Sequence, residues 1–414
     1  VTSRELADLL VALLGSNPPK AAALGALDRA SGKRFLQASA KHGVAPLLYR
    51  SLSASGGDVP PELLARLHDI YLHSSLRNQA LRDDAAAVFG ALREAGVRAI
   101  ALKGVHLAFA VYPDPALRPM NDIDLLVSPQ EDQRAAAVLR GLGYGITDAL
   151  GKTVDYTALH HARPVIKSGS VQVEVHHRLE LPGSPFSVDQ DGIRSRARAG
   201  DGMPGGPDVF SPEDLLLHVC AHIAYNHAFD VRLLALQDVR QVLRRYGERL
   251  DWTRARAIAE ADGRAPFVGM ALAVTERLWP GSVPERALAS WPLGEEDAEV
   301  RDAAVEYVKQ MPVELPVGVR RMRSAGSARE RIVALLEAVF PSPERMREIY
   351  QVPASRSVVW SYLWRPLDVL RRRWLDLVRL TAGNEAGMDA LARDDRQRVL
   401  QQWLASKGGG GLPT

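Results

Sequence analysis

The sequence predicts an α+β protein, with a small mixed-sheet core flanked by N-terminal and C-terminal helical regions. Three observations predict it. Apolar residues recur at helical spacing through residues 1–95 and again over 211–406. Short apolar runs of strand length, separated by glycine turns, are concentrated between residues 96 and 181. Between 182 and 210 the chain is dense in Pro, Gly and Ser, which reads as a long loop or linker.

Leu6, Leu9, Leu10 and Leu13 mark a first helix, and Leu63, Leu64, Leu67, Ile70 and Tyr71 mark another. Turn-rich breaks fall at 15–19 and 53–61. The last N-terminal helix is expected over 74–94, with Gly96 placed as a C-cap glycine. The pattern then changes to a strand over 97–102, the turn Lys103-Gly104 and a helix over 105–112. A loop over 113–121 leads into a second strand over 123–127, followed by a helix over 130–142. The runs 165–166 and 171–176 flank a glycine-containing turn and read as a β-hairpin. From Ser211, an N-cap followed by Pro212, the chain is helical almost to its end, with breaks at 312–316 and 340–343. The basic, aromatic stretch 358–374 reads as core on one face and solvated arginine on the other, and the tail 407–414 reads as disordered.

At 414 residues, 46% hydrophobic and 24% charged, the composition is that of an ordinary soluble protein with room for two or three domains. A net charge of +3 gives no strong argument for nucleic acid as a partner. The single cysteine, Cys220, excludes an internal disulfide and a cysteine-based zinc site, and it fits a reducing compartment. No apolar run approaches the roughly 18–20 residues of a membrane span, and the N-terminus lacks the pattern of a signal peptide. The expected location is therefore the cytoplasm.

The most informative stretch is Arg118-Pro-Met-Asn-Asp122-Ile-Asp124-Leu-Leu-Val127. Alternation along a strand sends Asp122 and Asp124 to one face, and Ile123, Leu125 and Val127 to the other. Two aligned carboxylates raise each other's pKa, and a divalent cation with a preference for hard oxygen ligands relieves that cost. The apolar run follows the aspartates here. In nucleotide-sugar glycosyltransferases and haloacid-dehalogenase-type phosphatases it usually precedes them. By the same alternation, Gln172, Glu174 and His176 share one face of the later strand, opposite its valines.

The run Ile100-Ala-Leu-Lys103-Gly104, the helix after it and the Arg118–Val127 segment resemble the nucleotidyltransferase superfamily that includes DNA polymerase β. The resemblance is closer to its uncharacterised nucleotidyltransferase family, in which a later strand carries an acidic residue two positions before a histidine, as Glu174 and His176 do here. The segment from His42 to Tyr49 and the helical run containing Asn78 extend the resemblance over most of residues 30–245. The wider superfamily usually has glycine followed by Ser or Gly at the first turn, where this chain has Lys-Gly-Val.

The resemblance implies a nucleotidyltransferase core at 96–181 that moves NMP from a nucleoside triphosphate to an acceptor and releases pyrophosphate. It makes Asp122, Asp124 and Glu174 the ligands of Mg²⁺ (or Mn²⁺), with Glu174 also placed to take the acceptor proton. Lys103 and Gly104 stand at a turn suited to phosphate, and Arg118 can meet a triphosphate through its planar fork. His176 and His222 are read as supporting residues around this set. His218 and His222 stand four apart on a helix, with His227 after them, but no Glu follows His218 as an H-E-x-x-H zinc site requires. Asp238 falls where relatives tend to carry an acidic residue. A small-molecule or peptide acceptor is expected ahead of nucleic acid. Two other readings are transfer of a phosphoryl or sugar-phosphate group, and a non-catalytic or toxin-system module with a similar core.

Overall fold

The computed structural model describes residues 1–15, 22–25, 27–54, 59–146, 165–180, 183–310, 329, 340–350, 357–368 and 385–408. By its internal contacts the chain forms one unit of residues 1–311 with 399–414, and a second of residues 312–398.

The first unit opens with α1 (Ser3–Leu13), α2 (Ala22–Gly25), α3 (Arg29–Lys41), α4 (Ala45–Ala54) and α5 (Pro61–Glu94). Thr2 and Glu5 form a reciprocal capping box at the start of α1. The two apolar runs expected as separate helices at 63–71 and 74–94 are one 34-residue helix, α5, because no Gly or Pro lies between them. It ends as expected. Gly96, at φ 69°, closes the helix with Gly96 N–H donating to the Arg93 carbonyl and Val97 N–H to the Leu92 carbonyl.

Next come β1 (Ile100–Ala101) and α6 (Lys103–His106), which runs on into a wide π-helical turn at Leu107–Val111. β2 (Asp122–Leu126) and α7 (Asp132–Gly141) precede β3 (Gly145–Ile146), β4 (Val165–Ile166) and β5 (Gln172–His176). The expected hairpin is present: β4 and β5 pair antiparallel, and Ser170 N–H closes the turn onto the Lys167 carbonyl. The expected loop at 182–210 instead carries α8 (Gln190–Arg196), β6 (Arg198–Ala199) and β7 (Asp208–Val209). Its two-residue strands are too short for alternation to show in the sequence. The order across the sheet is β3-β4-β5-β2-β1-β7-β6 among the described residues. The pairs β2–β5 and β1–β7 are parallel and the rest antiparallel, so the sheet is mixed and the fold is α+β.

Both faces of the central strands are covered. Ile123, Leu125 and Val127 pack with Val173, Val175, Phe89, Leu92 and Leu139, which places α5 and α7 on one face. Leu126, Ile100 and Leu102 instead join a larger core with α9 (Pro212–Ala221) and α10 (Leu233–Tyr246), through residues such as Leu215, Leu216 and Val239. At about 1.5–3 kcal/mol per fully buried aliphatic side chain, this packing holds the sheet rigid between two helical layers. Ser211 caps α9 by accepting from Asp214 N–H, with Pro212 at its first position. A second wide turn, His222–Asn226, follows α9. Helices α11 (Trp252–Asp262), α12 (Ala265–Leu278), α13 (Glu285–Ser290) and α14 (Asp297–Lys309) complete the layer, and Trp403 of the last helix donates to Asp297.

In the second unit, Tyr350 donates to Asp368 and Tyr362 to the Pro341 carbonyl. Residues 359–368 are helical, and Trp360, Leu363, Trp364 and Leu367 lie on one face of that helix at i, i+3, i+4 and i+7. The expectation of a core-facing stripe does not hold for them, since each is 60% exposed or more. The spacing identified a shared face; it carries no information on what covers it. Residues 369–374 of that stretch, and 409–414 of the tail, lie outside the described residues, while Lys407 and Gly408 are helical. No helix among the described residues is long and apolar enough to cross a membrane.

Candidate active site

The parallel register of β2 and β5 sets Asp122 opposite Gln172, Asp124 opposite Glu174 and Leu126 opposite His176. Alternation then puts both aspartates, Glu174 and His176 on one face of two adjacent strands. Asp124, Glu174 and His176 each offer an atom within 4.8 Å of the others, a spacing that suits a shared cation. Asp122 is the first residue of β2 and stands beside them on the same strand face.

The charges in this cluster are strongly coupled. Burial alone would raise the Asp124 carboxyl, but Lys103 and then His176 overcome it and hold Asp124 well below the usual carboxylate range. The contacts are direct: Lys103 Nζ lies 3.2 Å from Asp124 Oδ1, and His176 Nε2 lies 2.9 Å from the same oxygen. Asp122 goes the other way. Burial first, then the neighbouring Asp124 and Glu174, push it up to about 6. Three crowded carboxylates, one of them raised by the other two as well as by burial, describe a site short of positive charge. Gln172 steadies Glu174 by donating from Nε2 to Oε1 at 2.7 Å.

Lys103 occupies the turn between β1 and α6 at φ 38°, a left-handed conformation uncommon outside glycine. That strain is tolerated because Leu102 N–H is fixed to the Asp124 carbonyl at 3.0 Å and the Lys103 ammonium to the Asp124 carboxylate. Gly104 is there for space. A Cβ at Gly104 would meet Arg118 Nη1 at 3.1 Å and Met120 Sδ at 3.2 Å.

Arg118 is half-buried, and its fork is already engaged along one edge: Nε donates to Asp238 Oδ1 and Nη2 to Asp238 Oδ2, both at 2.9 Å. Tyr112 Oη also donates to Asp238 Oδ1, at 2.7 Å. The remaining Nη1 end faces Gly104. The loop carrying Arg118 is clamped from α5, where Asn78 Nδ2 donates to the Pro115 and Arg118 carbonyls and Arg77 Nε to the Met120 carbonyl. Sequence reasoning found Asp238 without a role and missed Tyr112 and Arg77 altogether; no local pattern marks partners 126 and 43 residues away.

The histidines after β5 behave differently from the carboxylates. His222 Nε2 lies 3.1 Å from His227 Nε2, and His222 Nδ1 lies 3.2 Å from Asn226 Nδ2. His218 stacks on His222 with ring centroids 5.8 Å apart. Among the described residues they do not join the ligand-spaced cluster, which holds Asp124, Glu174 and His176.

Lys103, Arg118, His218, His222 and Asp238 line a cavity of about 260 Å³. Lys103 belongs both to this cavity and to the carboxylate cluster, so the two are contiguous. An arrangement of this kind can bind cations at the carboxylates, hold an anion at Lys103 and Arg118, and accept a proton at Glu174.

The model of a family described as uncharacterised nucleotidyltransferase matches residues 29–280. Among curated proteins and solved structures, no match to the chain was found.

Proposed function

The chain belongs to the uncharacterised nucleotidyltransferase family, and we propose that it transfers NMP from a nucleoside triphosphate to an acceptor hydroxyl or phosphate. The observation that carries this reading is the register of the central strands, which sets Glu174 directly opposite Asp124. The donor set fits divalent cations. It presents oxygen ligands, and the raised Asp122 marks negative charge that the resident cations Lys103 and Arg118 do not fully balance.

In this reading Asp122, Asp124 and Glu174 hold Mg²⁺ or Mn²⁺ as a two-ion site. Bound there, the ions would lower the pKa of the acceptor oxygen and offset charge on the triphosphate. Everything else falls to the chain's own residues. His176 and Lys103 fix the Asp124 carboxylate in place. Glu174, held by Gln172, takes the acceptor proton directly or through a water. Lys103 and the free end of Arg118 receive phosphate oxygens, and Asp238 with Tyr112 keeps the guanidinium in plane. The acceptor oxygen bonds to the α-phosphorus, the bridge from the α-phosphorus to the β-phosphate breaks, and pyrophosphate leaves. The small net charge of the chain favours a small-molecule or peptide acceptor over nucleic acid, and a cytoplasmic setting supplies the triphosphate.

The test is the fate of the label. With Mg²⁺ and a small-molecule and peptide extract as the acceptor source, NTP labelled at the α-phosphate should label a product while NTP labelled at the γ-phosphate yields labelled pyrophosphate. Product labelled from the γ-position would replace this reading with phosphoryl transfer.

A further inference from the structure

Beside the carboxylates, the cavity of about 260 Å³ is lined by residues of two unlike kinds. Lys103, Arg118, Asp230, Arg232 and Asp238 are charged. Leu107, Val219, Ile223, Val231 and Leu234 are apolar, and His218 and His222 also line the cavity. Both wide helical turns in this part of the chain supply wall residues, Leu107 from the first and His222 and Ile223 from the second. Single π-turns inside helices are rare and recur at functional sites, because they re-aim side chains that a regular helix would direct elsewhere.

One lining residue carries a polar atom with no match among the described residues. His218 is 6% exposed, and its Nε2 has no hydrogen-bond partner among the described residues. Leaving such a group unpaired costs about 1–3 kcal/mol, so a native fold that retains it calls for an explanation. His222, by contrast, has contacts at both ring nitrogens, to Asn226 and His227, and is held as a fixed plate against His218. Burial pushes the His218 imidazole down to about 3 and lowers His222 as well, so both are uncharged at neutral pH. Uncharged imidazoles among aliphatic walls do not suit a polyphosphate. They suit a flat, uncharged, hydrogen-bonding ring.

Resting on the nucleotidyltransferase reading, we propose that this cavity is the nucleobase pocket, with His218 Nε2 bonded to an edge of the base and the triphosphate directed to Lys103 and Arg118. Specificity for the NTP is then set at His218, on the helical layer outside the sheet core.

Isothermal titration of the full chain with Mg²⁺ and each of the four NTPs, or with inorganic tripolyphosphate, tests the assignment. At least one NTP should bind about tenfold tighter than tripolyphosphate, the increment expected of a buried hydrogen bond with its apolar contacts. His218→Leu, which removes the unpaired nitrogen and should melt no lower than wild type, should erase that preference and leave tripolyphosphate binding unchanged. Ala235→Trp, which fills the cavity from α10, should do the same. If both variants bind NTPs as wild type does, the pocket assignment is wrong. That holds too if they lose only turnover with the extract, since the acceptor would then be the occupant. Wild-type protein that binds all four NTPs and tripolyphosphate equally overturns the pocket alone. Protein that binds none of them overturns the nucleotidyltransferase reading with it.

Discussion

Asp238 grips Arg118 with both carboxylate oxygens, each 2.9 Å from a guanidinium nitrogen, across 120 residues of sequence. Asp238 is buried and Arg118 half-buried, and Tyr112 completes the pair from the turn that follows Lys103. It therefore ties α10 to the loop that delivers Asp122 and Asp124. Burial works against the Arg118 charge, but Asp238 overcomes it, and the guanidinium stays ionised.

Removing one partner of such a pair leaves a buried charge without compensation. Asp238→Asn should lower stability by about 3 kcal/mol, measured by urea unfolding. Pairing it with Arg118→Met should recover part of that loss, giving a favourable coupling in the double-mutant cycle. Strict additivity would show that the two side chains act independently.

Glu174→Gln keeps the size of the side chain and removes its charge. Turnover should fall by about 10²–10⁴, the usual worth of a positioned general base. The melting temperature should hold or rise, because Glu174 is one of the charges that push Asp122 up. Activity within a few fold of wild type would remove Glu174 from the chemistry.

Stability should also carry a specific acid sensitivity from His106. Burial pushes this imidazole down to about 3, while the unfolded chain protonates it near 6.5. Between those values the unfolded state binds the extra proton. The contribution is thus complete above pH 6.5 and is lost progressively as pH falls toward 3, by up to about 1.4 kcal/mol per pH unit. Asp122, raised in the folded state, works in the opposite direction below about 6, so the comparison must be with a variant. Between pH 7.5 and 5.5, wild type should lose roughly 1 kcal/mol more than His106→Leu does. Equal losses would show that His106 is already hydrated or paired.

What the sequence revealed and what it hid divide along physical lines. Strand alternation alone places Asp122 with Asp124, and Glu174 with His176, because a period of two leaves no freedom. The turn over 167–170 was equally legible, and its Gly169, at φ 77°, bears it out. Pairing between strands was not legible, since the parallel register that sets Asp124 against Glu174 depends on a crossover of nearly fifty residues. The Arg118–Asp238 clamp, the orphaned His218 nitrogen and the strand pairing of β7 are likewise products of tertiary packing. The helix expected from Ser74 is the second part of the single helix α5, which begins at Pro61.

In the proposed reaction, Asp122 and Asp124 bind the cations on which nucleotidyl transfer depends. Pyrophosphate release from NTP, followed with and without Mg²⁺ in wild type and in the Asp122→Ala/Asp124→Ala double variant, tests it most directly. Wild type should release pyrophosphate only with the metal, and the folded double variant should release none above background. Unchanged turnover in the double variant would contradict the account.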